Sequence, residues 1–289
     1  MTGLCKLILE ERMHRKLAII ILFVCGRAWA QSAPQPPPAA KRPFTFEDMM
    51  ALKRLAEPVP SPDGKWVVFA AQDIDLEANT RKSRLWIIPA EGGPARRLSQ
   101  TDNSEERPRL SPDGKHLIFI SKATDPTQVW MCDFDSINGT LTGQPHQLTS
   151  ISTGADGAIW SPDGKNIVFV SAVYADCRDD TCNRERDAEL ARSKVKAKVF
   201  TQLLYRHWTT FTDFKRSHLF VIPAAIDASQ PNPGPARDLT PGDHDVPPFH
   251  LGGQDMYAVS PDGQELAYTS NIDEVEATST NNEIFIVSM

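Results

Sequence analysis

The chain has 289 residues, 40% of them apolar and 24% charged, with 31 basic against 37 acidic side chains and a net charge of −6. This composition fits a folded chain with a sizeable core and excludes a disordered tail, a collagen-like repeat and a disulfide-dense mini-protein. Without residues 1–30 the balance moves to 26 basic against 35 acidic, which argues against nucleic acid or an anionic membrane as the main partner.

The first predicted element is a leader. Leu17 to Cys25 is an apolar run of nine residues, preceded by His14-Arg15-Lys16 and followed by Ala28-Trp29-Ala30. Nine residues are too few to cross a hydrocarbon core of roughly 30 Å as a helix. A basic start, a short apolar stretch and an A-x-A site have the anatomy of a secretory signal peptide. Residues 1–30 are therefore expected to be removed between Ala30 and Gln31, with Met13 as the start of translation. The mature chain is expected in the periplasm or outside the cell, with no membrane contact after cleavage. An uncleaved anchor is the competing reading, and Arg27 beside the cut favours it.

Residues 31–43 carry Pro34, Pro36, Pro37 and Pro38 and read as an extended linker. Thr45 then stands as the cap of a short helix running to about Arg54, with Glu47 and Asp48 in its first turn.

Beyond this point the chain repeats. Ser-Pro-Asp-Gly occurs at residues 61–64, 111–114, 161–164 and 260–263, each time ahead of an apolar run such as Val67-Val68-Phe69 or Ile167-Val168-Phe169. Proline presets φ, aspartate bonds back to the backbone and glycine takes a positive φ, so each copy predicts a hairpin tip. A further strand, marked by Trp86, Trp130, Phe220 or Phe285, follows each tip, and a Leu-Ser/Thr step (Leu98-Ser99, Leu148-Thr149, Leu239-Thr240) closes three of the units. Units of about 50 residues with four short strands are the pattern of propeller blades. The expected fold is all-β: a partial β-propeller over residues 44–289, of about three and a half blades, with a short N-terminal helix and a helical insertion. A ring normally takes 4–8 blades, so the reading is of the front half of something longer, with open sheet edges available for self-association.

The third unit carries the insertion, residues 172–216. Asn183 to Arg192 suits a helix with Ala188, Ala191 and Val195 on one stripe, and Lys194 to Val199 alternates like a strand with a solvated lysine face. Cys177 and Cys182 can close a small disulfide loop in an oxidising compartment, whereas two cysteines without a nearby histidine pair make a poor zinc site. Cys132 is then expected as a buried free thiol on a strand. Glu185 and Glu189, one turn apart, read as a solvated helix face. His207 and His218 read as structural hydrogen-bonding histidines, and Asp243-His244-Asp245 with His250 as a loop rather than a metal cluster.

The repeats, the segment AVYADCRDDTCNRERDAELARSKVKAKVF and the run LLYRHWTTFTDFKRSHLFVIPA together resemble secreted bacterial members of the prolyl oligopeptidase family, in its dipeptidyl- and acylaminoacyl-peptidase branch. The resemblance covers about residues 44–289. It implies a propeller that covers a C-terminal α/β-hydrolase domain and admits short peptides as substrates. The serine nucleophile of such a domain sits on a Gly-x-Ser-x-Gly elbow, a motif this sequence lacks. No catalytic, cofactor or metal-binding residue is therefore carried over, and this chain alone is expected to be inactive. The alternative is a non-enzymatic periplasmic propeller of the Tol type that binds or scaffolds.

Overall fold

The computed structural model describes residues 41–201, 203–224, 234–249 and 256–289. The leader, Met13, the Ala30–Gln31 junction, most of the proline-rich linker and His250 lie outside the described residues. Residues 41–45 have no regular structure, and the strands all fall within residues 46–289.

Three four-stranded antiparallel sheets and one three-stranded sheet follow one another along the chain. The first comprises β1 (Arg54–Pro60), β2 (Trp66–Asp75), β3 (Thr80–Pro89) and β4 (Arg96–Arg97). The second comprises β5 (Glu105–Leu110), β6 (His116–Ser121), β7 (Gln128–Asp135) and β8 (Thr140–Gln147). The third takes β9 (Asp156–Trp160), β10 (Asn166–Val173), β13 (Arg216–Pro223) and β14 (Arg237–Asp238), with the insertion between β10 and β13. The fourth takes β15 (Tyr257–Val259), β16 (Glu265–Ser270) and β17 (Glu283–Ser288).

Each Ser-Pro-Asp-Gly lies between the first and second strands of its sheet, and the same bonds recur. The amide of Gly64, Gly114, Gly164 or Gly263 donates to the serine carbonyl at 2.9 Å, with glycine φ between 69° and 74°. The serine hydroxyl donates to the aspartate (2.6 Å for Ser61 to Asp63) and accepts from the amide that opens the return strand (3.0 Å for Trp66). At Asp63, Asp163 and Asp262 the serine hydroxyl, then a backbone amide, holds the carboxyl below its ordinary pKa.

The sheets also share one internal register. Phe69 faces Trp86, Phe119 faces Trp130, Phe169 faces Phe220 and Tyr268 faces Phe285. The first of each pair lies eight residues beyond its motif serine. Cross-strand aromatic pairs are a unit of sheet stabilisation, so a sequence repeat is here a packing repeat.

Period-two alternation then joins the sheets. On β6, Leu117 and Phe119 enter a core shared with Val68, Leu85 and Ile87 of the first sheet. Ile118 and Ile120 enter one shared with Ile167, Phe169 and Phe220 of the third. Val168, on the opposite face of β10 from Phe169, packs with Tyr257 and Leu266 of the fourth. Indoles bridge the seams: Trp66 Nε1 donates to the Ser136 carbonyl at 2.8 Å and Trp160 Nε1 to that of Arg109 at 3.2 Å.

The structure corrects several expectations. The first helix, α1 (Phe46–Ala51), is shorter than expected, because the backbone from Arg54 is already paired with β2. The insertion helix, α2 (Asp180–Arg192), starts three residues early, with Asp179 as its cap accepting from the Cys182 amide. Asn183 is its one buried residue, so the alanine–valine stripe does not face a core. Residues 194–199 form no strand. No ladder takes up their backbone, and Val195 and Val199 are exposed. Glu185 and Glu189 are exposed. Cys132 is a buried free thiol on β7, pushed up to about 11 by burial.

Candidate functional site

The first strands β1, β5 and β9 lie side by side, and each carries a kink. Glu57, Arg107 and Gly157, each four residues before a motif serine, have φ of 52°, 54° and 62°, and the ladder register shifts around each of them. An extra residue in one strand re-aims the side chains around it. Here it turns charge inward along neighbouring strands. Arg107 Nε meets Asp156 at 2.9 Å while its Nη1 faces Glu57 at 3.7 Å, and Arg109 reaches Glu57 at 3.3 Å.

Gly157 has a second reason to be glycine. A Cβ there would sit 2.4 Å from the Tyr257 hydroxyl, which donates to the Gly157 carbonyl. Burial raises the Tyr257 phenol well above its ordinary pKa, so it stays a donor.

Over this end of the strands stands the second half of the insertion, a two-stranded hairpin of β11 (Arg206–His207) and β12 (Thr210–Phe211). Between them lies a groove of about 320 Å³, walled by Tyr257, Phe211, Phe249 and Pro247, with Arg107 and Lys215 among its polar groups. Its ionic groups are already paired: Lys215 with Asp187 at 2.8 Å, Asp245 with Arg216 at 3.2 Å, and Arg107 with Asp156. The two cations and two carboxylates of its lining balance, so the groove carries no uncompensated charge to capture an ion.

His207 departs from the expected structural role. Its ring lies flat on Phe249, with centroids 3.7 Å apart and planes 3° apart, and no hydrogen bond to its ring nitrogens occurs among the described residues. Trp208, in the hairpin turn, meets Phe249 edge-on at 5.8 Å and is 73% exposed, unlike the strand tryptophans. Behind the hairpin, Phe200 stacks on Tyr205 and Phe214, each at 4.8 Å. His218 is buried on β13, and Asp243 and Asp245 hold Arg216.

Helix α2 is anchored at its start. Asp180 accepts from the Ser152 amide and hydroxyl at 2.7 Å, and Asn183 Oδ1 accepts from the Tyr174 amide at 2.9 Å. Cys177 and Cys182 are disulfide-bonded, with Cα atoms 5.5 Å apart. A larger cavity of about 430 Å³ beside this helix has its Asp180, Asn183 and Asp238 already hydrogen-bonded to protein.

Among the described residues no serine or cysteine side chain bonds a histidine ring, and no group of three His, Cys, Asp or Glu side chains is placed to hold a metal ion. Sequence reasoning missed Arg107, Asp156, Phe249 and Tyr257 as site residues. The 50-residue spacing of Glu57, Arg107 and Gly157 was a readable signal for three strand kinks. Nothing in the sequence announces that Phe249 would reach His207.

No family model matches the sequence. The chain is 27% identical over 249 residues to dipeptidyl-peptidase 5 of Porphyromonas gingivalis, a match covering 85% of this chain and 34% of that one. It is 26% identical over 251 residues to the uncharacterized peptidase YuxL of Bacillus subtilis, covering 86% and 34%. The chain thus spans about a third of the length of the curated relatives it matches. Among solved structures, Pyrococcus horikoshii acylaminoacyl peptidase superposes with a TM-score of 0.53 at 14% identity, over 82% of this chain and 31% of that one. At that identity the likeness is one of fold.

Proposed function

We propose that this chain is the N-terminal, substrate-admitting part of an exported serine peptidase that acts on short peptides, of the dipeptidyl or acylaminoacyl type. The observation that carries the reading is the match along 85% of this chain to one third of a dipeptidyl-peptidase. In this reading the four sheets are successive propeller blades with the Ser-Pro-Asp-Gly turns at their tips. Residues 1–30 are the signal peptide, 31–43 the linker and 44–289 the incomplete propeller. The groove beneath the insertion hairpin is where a peptide is first held, on the way to a hydrolase domain encoded beyond residue 289. An aromatic wall with a few polar groups suits that task, since ligand clefts are lined mostly by apolar and aromatic side chains with a small number of placed polar groups. Open sheet edges make self-association of the isolated chain part of the same reading.

The test is to sequence the encoding DNA for about a kilobase past codon 289 in all frames, the length a hydrolase domain of typical size requires, and to assay the encoded product. A hydrolase segment with Gly-x-Ser-x-Gly, and release of dipeptides or acylated residues, supports the proposal. Further Ser-Pro-Asp-Gly units and a stop codon overturn it in favour of a binding propeller. The 289-residue chain itself should take no label from a serine-directed fluorophosphonate.

A further inference from the structure

The groove wall that carries Phe249 is held by a buried histidine. His218 lies on β13 with its side chain 2% exposed. Its Nδ1 is 2.7 Å from Asp238 Oδ2 on β14, and its Nε2 is 2.9 Å from the Gly242 carbonyl oxygen. A carboxylate and a carbonyl can only accept. A neutral imidazole has one N–H, and in either tautomer its other nitrogen would point a lone pair at an oxygen. With Asp238 as a carboxylate, the imidazolium, donating at both nitrogens, satisfies this geometry and the neutral ring does not.

The segment it grips is short and ends in the groove. Residues 239–246 are tied to β13 by the Leu239 amide on the Leu219 carbonyl, the Val246 amide on the Ser217 carbonyl, and Asp245 Oδ1 accepting from the Ser217 amide. Arg216 adds contacts to Asp243, Asp245 and Glu276. The next residues are Pro247, Pro248 and Phe249, which wall the groove and supply the ring beneath His207.

We propose that His218 is a positioning residue: as an imidazolium it clamps residues 238–246 to β13 and so fixes the Phe249 wall, and losing that proton as pH rises frees the wall. The charged groups around it are Asp238 on β14, Asp243 and Asp245 on the clamped segment, Arg216 on its own strand and Glu276 on the short 3₁₀ turn Glu276–Thr278. His244, on the same segment, faces Glu276 at 3.4 Å. Burial by itself would drive the proton off, but Asp238, the Gly242 carbonyl and Asp245 outweigh it and hold the ring above its ordinary pKa. The clamp is therefore complete below the ordinary histidine value of about 6.5 and is lost as pH rises through the higher folded-state value. That the groove admits peptides is taken from the preceding section. The clamp itself is not, and its test reads no peptide.

The experiment is amide hydrogen exchange on the full chain between pH 6 and pH 10, corrected for intrinsic rates, with ¹⁵N spectra of the histidine rings. The expected ring spectrum at pH 7 shows both His218 nitrogens protonated. Protection of Leu239 and Val246, whose amides are bonded to β13, should fall by about tenfold or more as the ring titrates, while that of β6 stays constant, the behaviour of a local opening rather than global unfolding. His218→Gln should remove the pH dependence and leave these amides exchanging fast throughout. A neutral His218 at pH 7, or protection of Leu239 and Val246 that does not change with pH while β6 is intact, would overturn the proposal. Should His218→Gln fail to fold, the wild-type series decides alone.

Discussion

The strands β6, second in its sheet, and β17, third in the fourth sheet, both carry apolar runs, yet live in different surroundings. Every residue of β6 is buried. On β17, Ile284 is 77% exposed and Ile286 64% exposed, while Phe285 on the opposite face pairs with Tyr268. The second and third sheets have a neighbour on each side, so both faces of their middle strands enter cores. Among the described residues the first and fourth sheets have a neighbour on one side, and Leu55 on β1 is likewise 70% exposed. An apolar run thus says that a strand can be buried on both faces. It does not say that a partner is present to bury it, and burial is what converts such a run into stability.

The sharpest test of that contrast pairs two truncations read by urea unfolding. Phe169→Ala, between the second and third sheets, should cost about 3–5 kcal/mol, as buried phenylalanines do. Ile286→Ala should stay within about 0.5 kcal/mol, as for a surface change. Equal losses would mean that the outer face of β17 is covered in solution, for instance by a second copy.

Next in size is the kink at Gly157. Gly157→Ala meets the Tyr257 hydroxyl at 2.4 Å and keeps a positive φ. The backbone contribution alone is about 1–2 kcal/mol, and the clash adds to it. In a Tyr257→Phe background the cost of Gly157→Ala should shrink towards the backbone contribution. Additive losses in that cycle would mean that the two residues do not meet.

The disulfide comes third. Replacing Cys177 and Cys182 by serine should cost about 2 kcal/mol on loop entropy for so short a loop. In a separate chain that lacks Cys5 and Cys25 but keeps Cys177 and Cys182, a thiol reagent should find no reactive thiol in the native oxidised state and one, Cys132, after denaturation. Three thiols on denaturation would show that the bridge had not formed.

The smallest effect belongs to the four turn aspartates. Their carboxyls sit below the ordinary pKa when folded. They therefore contribute stability above the ordinary carboxylate value and lose it as pH falls through the lower folded value. A quadruple Asp→Asn chain should show a flatter acid limb between pH 5 and pH 2 than wild type, and an unchanged limb would deny the serine and amide bonds any net role.

Much of this fold was legible because its information is local. The Ser-Pro-Asp-Gly turn fixes its own φ values and satisfies its own polar groups, and it does so identically four times over. The aromatic markers Trp86, Trp130, Phe220 and Phe285 could be placed on strands because each stands in an apolar run that follows the turn, although its distance from the motif serine varies. The insertion was less legible. Lys194 to Val199 has the alternation of a strand, but a strand exists only if another backbone takes up its hydrogen bonds, and none does. Helix α2 was recognised and misplaced by three residues, because Asp179 was not seen as its cap.

The sequence by itself determined the repeat, its turns and the apolar faces, since these follow from backbone preferences and a period of two. Tertiary structure alone decided which faces found partners, that Arg107 and Asp156 would pair between adjacent strands, and that Phe249 would slide under His207. It also decided that His218 would meet two acceptors at once. Contacts between residues 20 to 100 positions apart depend on how the sheets stack, and no local preference encodes that distance.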